Sequence, residues 1–399
     1  MANSNLTMTM VTREILRVLH QKANFLRTIT RSYDDSYAKT GAKIGDTLKI
    51  RLPNEYTVTT GAALGTQDLS ETSVDLTVAT QKHVGLNFTS DDLTLDLDDF
   101  STRIIDPAVS VLVASVEADG LQTMTKQVAN LIDSDGSAFS YTDILNGRRR
   151  LNECLAPQDG SRSALLSPAH SVKIVDALKG LFHSSEQIDK QYIDGEMGKS
   201  AGFSFFENTH VTDHTTGTAA EGDTLYNVNG AAEDGSTITV DTGSTTFLVG
   251  DVVTFAGANA VHPETKVSLG YLKQFVITAN SGASATTLTI DPPLVASGGR
   301  QNVSGFPTNA GAVSKIGAGN AETLNGSLVY HKNAFAFATA DLVMPRGVDM
   351  AAREVLDGVS MRLVRQYDIN NDKFPCRLDI LYGYKAIRQS LACRLHADG

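Results

Sequence analysis

Residues 90–132 read SDDLTLDLDDFSTRIIDPAVSVLVASVEADGLQTMTKQVANLI, and this stretch decides the fold. It opens with five aspartates, Asp91, Asp92, Asp96, Asp98 and Asp99. Carboxylates belong at a helix N-terminus, where free N–H groups and the macrodipole favour negative charge. Phe100 and Ile104 stand four apart in a short helical segment. Pro107 then reads as the first residue of a longer helix, or as a kink in one continuous helix. From Pro107 to Leu131 there is no other proline and one glycine, Gly120. At ~1.5 Å per residue this predicts a rod of roughly 37 Å. Ala108, Val111, Leu112, Ala118 and Leu121 form one apolar stripe; Val109, Val113, Val116, Met124 and Val128 form another. Both recur at three or four residues, so the helix is covered on more than one side. Periodicity alone fits a core helix of any α/β protein. A spine around which many copies assemble needs support from the rest of the chain.

The totals narrow the classes. A chain of 399 residues predicts two or three domains. It is 41% hydrophobic and 20% charged, a globular balance. The net charge of −11 excludes a nucleic-acid clamp announced by composition. Cys154, Cys376 and Cys393 are far apart and odd in number, which reads as a reducing compartment without a disulfide framework. The first residues, MANSNLTMTMVTREIL, lack a basic run followed by an apolar one, so no secretory signal is expected. No apolar stretch approaches ~20 residues, so no membrane span is expected.

Outward from the central stretch, Thr7 to Leu26 reads as an amphipathic helix with Ile15, Leu19 and Phe25 on one side. From Gly41 to Lys82 the pattern is β-like, alternating through Leu48 and Ile50, then through Val74, Leu76 and Val78. The connection between them is long and rich in Gly and Thr, so the pair reads as an extended hairpin whose tip, Gly61 to Thr72, buries little. Beyond the helix, Asp133–Gly136 reads as a turn. Tyr141 to Leu155 reads as a helix through Ile144, Leu151 and Leu155, with Arg148, Arg149 and Arg150 on a solvated face. Ser163–Leu166 reads as a strand. Ser167-Pro168 then caps and starts a helix that runs to about Phe182 through Val172, Val175, Leu178 and Leu181. Gly202 to Val211 reads as another strand.

Near Asp213 the composition changes. Until about Ala321 no helical period survives. Ser236–Val240, Asp251–Phe255, Lys273–Ala279 and Thr286–Leu294 read as short strands between turns, which predicts a small inserted β-barrel or sandwich. After Glu322 the earlier composition returns. LVYHKNAFAFATADL, VSMRLVRQYD and PCRLDILYGYKAI all alternate, the last with Cys376, Leu378, Ile380 and Tyr382 on one side. Helices before the insertion and strands after it fit one α+β domain interrupted by a guest.

Catalytic motifs are scarce. GAKIGDT (41–47) carries Asp where a phosphate-binding loop needs Lys, and neither GxSxG nor HExxH occurs. His210 and His214 have the spacing of a helical metal pair but fall beside a predicted strand and turn. DINND (Asp368–Asp372) starts like a calcium loop, then fails at Lys373 and Pro375, with Asp379 as a short last ligand. A turn before a strand is the preferred reading. The expectation is a protein that is no enzyme, with no cofactor and no metal.

Several stretches carry a family resemblance in order: residues 90–120 entering the helix, SALLSP, AGFSFFENTHV, GDVVTFAG, LVYHKNAFAFATADLVMPRGVD and YDINNDKFPCRLDILYGY. With these the chain resembles the major capsid proteins of tailed bacteriophages, specifically the P-twenty-two-like coat group built on the Hong Kong 97 capsid fold. The resemblance implies an α+β capsid fold with an N-terminal arm (1–44), an extended loop (45–82), a peripheral domain with the spine helix (83–134) and an axial domain (135–212 and 322–399). The inserted β-domain would be 213–321. It implies a subunit that forms hexamers and pentamers of itself in an icosahedral virion shell around double-stranded DNA, assembled in the bacterial cytoplasm. Partners would be a scaffolding protein, a portal protein and a decoration protein, with DNA held by non-specific proximity and no membrane. Candidate assembly residues are Arg51, Glu55 and Glu71 on the extended loop and Glu233 and Asp234 in the insertion. Some relatives weld the shell through an extended-loop Lys joined to an Asn. Between Arg51 and Gln81 there is no Lys, so a non-crosslinked shell is expected. Two alternatives stand beside this reading: an encapsulin-like shell enclosing protein cargo, and a metal-dependent enzyme built on the histidines.

Overall fold

A computed structural model describes residues 23–31, 47–62, 64, 66, 71–89, 106–178, 198–211, 213–317, 319–321, 323–324, 326–356, 359–371 and 373–398. The five aspartates 91–99, most of the predicted N-terminal helix and the end of the helix predicted to reach Phe182 lie outside these residues.

In chain order, a short helix α1 (Asn24–Thr28) precedes strands β1 (Thr47–Arg51), β2 (Ser73–Thr77) and β3 (Thr80–Thr89). The long helix α2 (Asp106–Thr125) leads into β4 (Leu131–Ala138) and helix α3 (Tyr141–Glu153). Then come β5 (Arg162–Leu166), helix α4 (Pro168–Leu178), β6 (Lys199–Ser200), β7 (Phe203–Glu207) and β8 (His214–Thr215). The insertion holds β9 (Gly222–Val228), β10 (Gly235–Asp241), β11 (Val252–Val261), β12 (Ser268–Ile277), β13 (Thr287–Leu294) and β14 (Ala312–Ile316). The chain closes with β15 (Thr323–Leu324), β16 (Gly326–His331), β17 (Phe335–Thr339), β18 (Met350–Leu356), β19 (Val359–Arg365), β20 (Lys373–Ala386) and β21 (Ala392–Asp398).

Contacts divide the chain into two compact units. The first takes the described residues within 1–50, 74–121 and 335–385. Its sheet runs β17-β20-β19-β18, with β3 paired antiparallel to β20 from Lys373↔Thr89 to Tyr382↔Thr80. Pro107 sits in the first turn of α2, where a missing N–H costs nothing. Val109, Leu112, Val113 and Val116 are buried, and each such side chain contributes about 1.5–3 kcal/mol by leaving water. Val111, placed on an apolar stripe by the sequence, is 66% exposed. Gly120 is required by packing. A Cβ there would stand 2.5 Å from Cζ of Tyr384, a ring already fixed 4.8 Å from Phe337 and 6.4 Å from Phe25.

The second unit takes the described residues within 51–73, 122–334 and 386–399. Its six-stranded sheet runs β4-β21-β16-β5-β7-β6, with β4 parallel to β21 and β5 parallel to β7. Leu395 and Val329 lie against Gly147 of α3, where a Cβ would meet Val329 Cγ2 at 2.9 Å. Ser140 starts α3 through a capping box with Asp143, and Ser167 Oγ accepts from the His170 N–H at the start of α4. The insertion closes into a barrel, β10-β13-β12-β11-β14-β9. Its core includes Tyr226, Phe247, Phe255 and Phe275, with ring pairs 5.5 Å apart at Tyr226–Phe247 and Phe255–Phe275.

Several sequence expectations are corrected. The helix ends at Thr125 instead of Leu131, so the rod is roughly 30 Å long. Asn130 Nδ2 donates to the carbonyls of Ala392 and Ser390 at 3.0 and 3.3 Å, and Leu131 pairs with Arg394 as a strand. Sheet pairing therefore overrides helical period, and the predicted turn at 133–136 lies inside β4. The second hairpin strand is two strands: β2 pairs with β1, while β3 crosses to β20. Leu155 and Val172 are exposed, and Arg150 is mostly covered, its guanidinium carbon 4.1 Å from the ring centre of Tyr271. The alternation read in LVYHKNAFAFAT hides burial on both faces, since every residue of β16 and β17 is buried.

Candidate assembly site

The loop between β1 and β2 presents apolar side chains to solvent. Tyr56 is 57% exposed, Val58 95% and Leu64 91%. Its base is closed by the Leu52 N–H to the Thr72 carbonyl (2.8 Å) and by Arg51 to Glu71 (3.0 Å). Both charged side chains of that pair are largely exposed, so it contributes at most about 0.5 kcal/mol. Farther out, Glu55 meets Lys266 of the insertion at 3.6 Å. The Glu55 carbonyl also lies so close to Gly299 that a Cβ there would stand 2.5 Å away. Arg51, Glu55 and Glu71 thus have partners within the chain.

The two insertion candidates differ. Glu233 Oε2 accepts from the Thr239 N–H at 2.8 Å and so braces the start of β10, whereas Asp234 is exposed. The structure brings Arg51 and Glu71 together; Glu233 is engaged elsewhere, in the turn before β10.

The barrel is fastened to the six-stranded sheet by polar groups. Gln274 of β12 accepts from the Leu131 N–H at 3.0 Å and donates to the Leu131 carbonyl at 2.8 Å, acting as one more rung on the edge strand β4. Tyr271 donates to Glu153 at 2.8 Å; burial chiefly pushes its phenol up to about 12. Asp251, at the foot of the barrel, is 1% exposed. It accepts from the N–H groups of Gly217 and Leu248 at 3.0 and 2.9 Å and pairs with His214 Nε2 at 2.8 Å.

In the first unit, Lys82 is the first lysine after the loop. Its ammonium is bound to Asp119 at 3.0 Å and to Ser115 Oγ at 2.9 Å. Tyr382 donates to the same Asp119 at 2.6 Å. Burial works to raise the Asp119 carboxyl, but the hydrogen bonds from Tyr382 and Lys82 and the Lys82 charge outweigh it and hold it low.

His210 and His214 do not form the helical pair their spacing suggested. His210 lies in the turn after β7, and His214 opens β8 with its ring turned to Asp251. Among the described residues no group of three metal-ligating side chains is brought together. Within DINND, Asp368 to Asn371 form a turn: the Asn370 N–H and Asn371 Nδ2 both donate to the Asp368 carboxylate, at 3.0 and 2.7 Å. Asp379 is held by Arg362 and Arg377 and belongs to the sheet. The sequence reading missed the seam of Asp251, His214, Arg394 and His396. A signal was present in ACRLHAD, where a strand alternates apolar residues with Arg394 and His396.

Among described residues no helix is long and apolar enough to cross a membrane. A family model described as P22 coat protein, gene protein 5, matches residues 1–393. No curated protein sequence matches the chain. Among solved structures, one titled Mycobacterium phage Che8 is similar at 10% identity and a TM-score of 0.48, covering 94% of this chain and 90% of that one. The mature capsid of bacteriophage PhiM1 is similar at 11% identity and a TM-score of 0.41, covering 88% and 82%. The CUS-3 coat protein I-domain is 29% identical over 23% of this chain and 95% of that one, with a TM-score of 0.19.

Proposed function

We propose, from the premise that this chain belongs to the P22 coat protein family, that its shell is held entirely by non-covalent contacts between copies. The chain is a structural capsid subunit of a tailed bacteriophage with an α+β capsid fold, and its place is the virion capsid. The observation that carries the proposal is the loop of residues 52–72. It has no lysine, it exposes Tyr56, Val58 and Leu64, and the first lysine after it is occupied by Asp119. A limb of this kind gains by lying over a neighbouring copy, where its apolar side chains leave water.

In this proposal the residues before 45 act as the arm and 45–82 as the extended loop. The six-stranded sheet is the axial domain around the symmetry axes. The strands within 335–385 share a compact unit with α2, which supports counting them with the peripheral domain in this proposal. The barrel is the outer insertion, with Glu233 and Asp234 at its contacts between capsomers. Hexamers and pentamers form on a scaffolding protein in the bacterial cytoplasm, around a portal, and enclose double-stranded DNA. A decoration protein completes the partner set.

Denaturing electrophoresis of purified shells tests the proposal. A single 42.6 kDa band after boiling in detergent is expected. A ladder of higher multiples would overturn it.

A further inference from the structure

Strand β21 sends Leu395 toward α3, so Arg394 and His396 point to the opposite face of the sheet. That face meets the foot of the barrel. Arg394 is 0% exposed and His396 2%. Among the described residues no acceptor reaches Nε, Nη1 or Nη2 of Arg394, and none reaches Nδ1 of His396. Asp251 lends Arg394 a negative charge without a hydrogen bond to it, since that carboxylate already serves Gly217, Leu248 and His214. Lys126 adds a second cation: a Cβ on Gly250 would meet both its Cγ and the His214 ring, at 3.1 and 2.9 Å.

A guanidinium removed from water with its donors unspent is among the costliest arrangements in a protein. The Arg394 guanidinium is thus a buried cation whose N–H donors the Asp251 carboxylate does not take up. The groups that face the seam are a rigid fork of N–H groups and one imidazole nitrogen, which donates in the tautomer that carries its proton on Nδ1. Burial, with Arg394, His214 and His170 nearby, pushes His396 well below the usual imidazole range, so its ring is neutral and has one N–H to give. We propose that the seam between barrel and sheet binds a small inorganic monoanion of the chloride class, held by the Arg394 guanidinium and His396 Nδ1. Bound there, the anion ties the insertion to the axial sheet and makes the fold of the subunit depend on halide.

The test uses the full chain as a monomer in urea at pH 7 and constant ionic strength, with sodium chloride exchanged for sodium gluconate. Above the dissociation constant, the apparent unfolding constant should fall about tenfold for each tenfold rise in chloride. Arg394→Met should abolish that dependence. A midpoint independent of chloride, or a dependence undiminished in Arg394→Met, would overturn the proposal. If that variant does not fold, crystals of the unaltered chain grown in bromide decide. An anomalous peak beside Arg394 supports the site, and its absence, with water taking the donors, overturns it.

Discussion

The backbone N–H of Phe25 donates to the buried carboxylate of Glu117 at 2.5 Å, across 92 residues of chain. The described segment before β1 is thus fixed to the middle of α2 by one charge-assisted bond. It is also fixed to β17, where Thr30 donates to the Phe335 carbonyl and Phe337 donates to the Thr30 carbonyl. Glu117→Ala leaves an orphaned N–H and should cost about 2 kcal/mol. The expected reading is faster hydrogen exchange at Phe25 and Phe337 than at the barrel strands. Unchanged protection at both amides would remove Glu117 from this role.

Gly120→Ala sets two effects against each other. Alanine favours a helix interior by up to ~1 kcal/mol over glycine. The added Cβ would meet the Tyr384 ring at 2.5 Å, and that ring is boxed in by Phe25, Phe337 and Tyr382, so overpacking of about 1–3 kcal/mol should win. Urea unfolding should give a lower midpoint for the variant. A higher one would mean that the ring moves aside freely.

Asp379 is fully buried opposite Arg362 on the neighbouring strand, and Arg377 approaches its other oxygen. Asp379→Ala strands two guanidinium groups, one of them 16% exposed, and should destabilise by about 3 kcal/mol. Asp379→Asn retains one acceptor and should lose less. Equal losses in the two variants would show that charge is not what matters there.

Acid should weaken the second unit. Burial is the main cause that lowers His170, His214 and His396 below the usual imidazole value, against the partial opposition of the Ala397 carbonyl, Asp143 and Asp213 at His170 and of Asp251 at His214. The unfolded chain therefore takes up protons near pH ~6.5 while the folded one does not. With more protons bound in the unfolded state, stability rises with pH. The stability is fully present above that value and is lost as pH falls below it, by up to about 1.4 kcal/mol per pH unit for each histidine. Urea midpoints at pH 7.5 and 5.5 should differ, and His396→Phe should shrink the difference. A flat profile in the unaltered chain would contradict the assignment.

Local chemistry was legible where it decided the outcome. Pro107 marked the start of α2, Ser167-Pro168 marked that of α4, apolar spacing gave α3, and the spacing of turns gave the barrel strands from Gly235 to Leu294. The end of α2 was not legible, because Asn130 and Leu131 answer to partners some 260 residues away in β21 and the turn before it. The split between β2 and β3 depends likewise on β20. The seam was hidden for the same reason: Asp251 and Arg394 meet only after the barrel has closed and docked on the sheet. Among the assembly candidates, Arg51 pairs with Glu71 at the base of the loop and Glu233 accepts from the Thr239 N–H, two partnerships that no local motif announced.

Electron cryo-microscopy of the chain expressed with its scaffold tests the central claim most directly. The account predicts closed icosahedral shells in which residues 52–72 of each subunit lie over a neighbouring copy, with Tyr56, Val58 and Leu64 buried and no covalent density leaving the loop. Particles that never close, or shells whose loops stay in solvent with those side chains exposed, would contradict it.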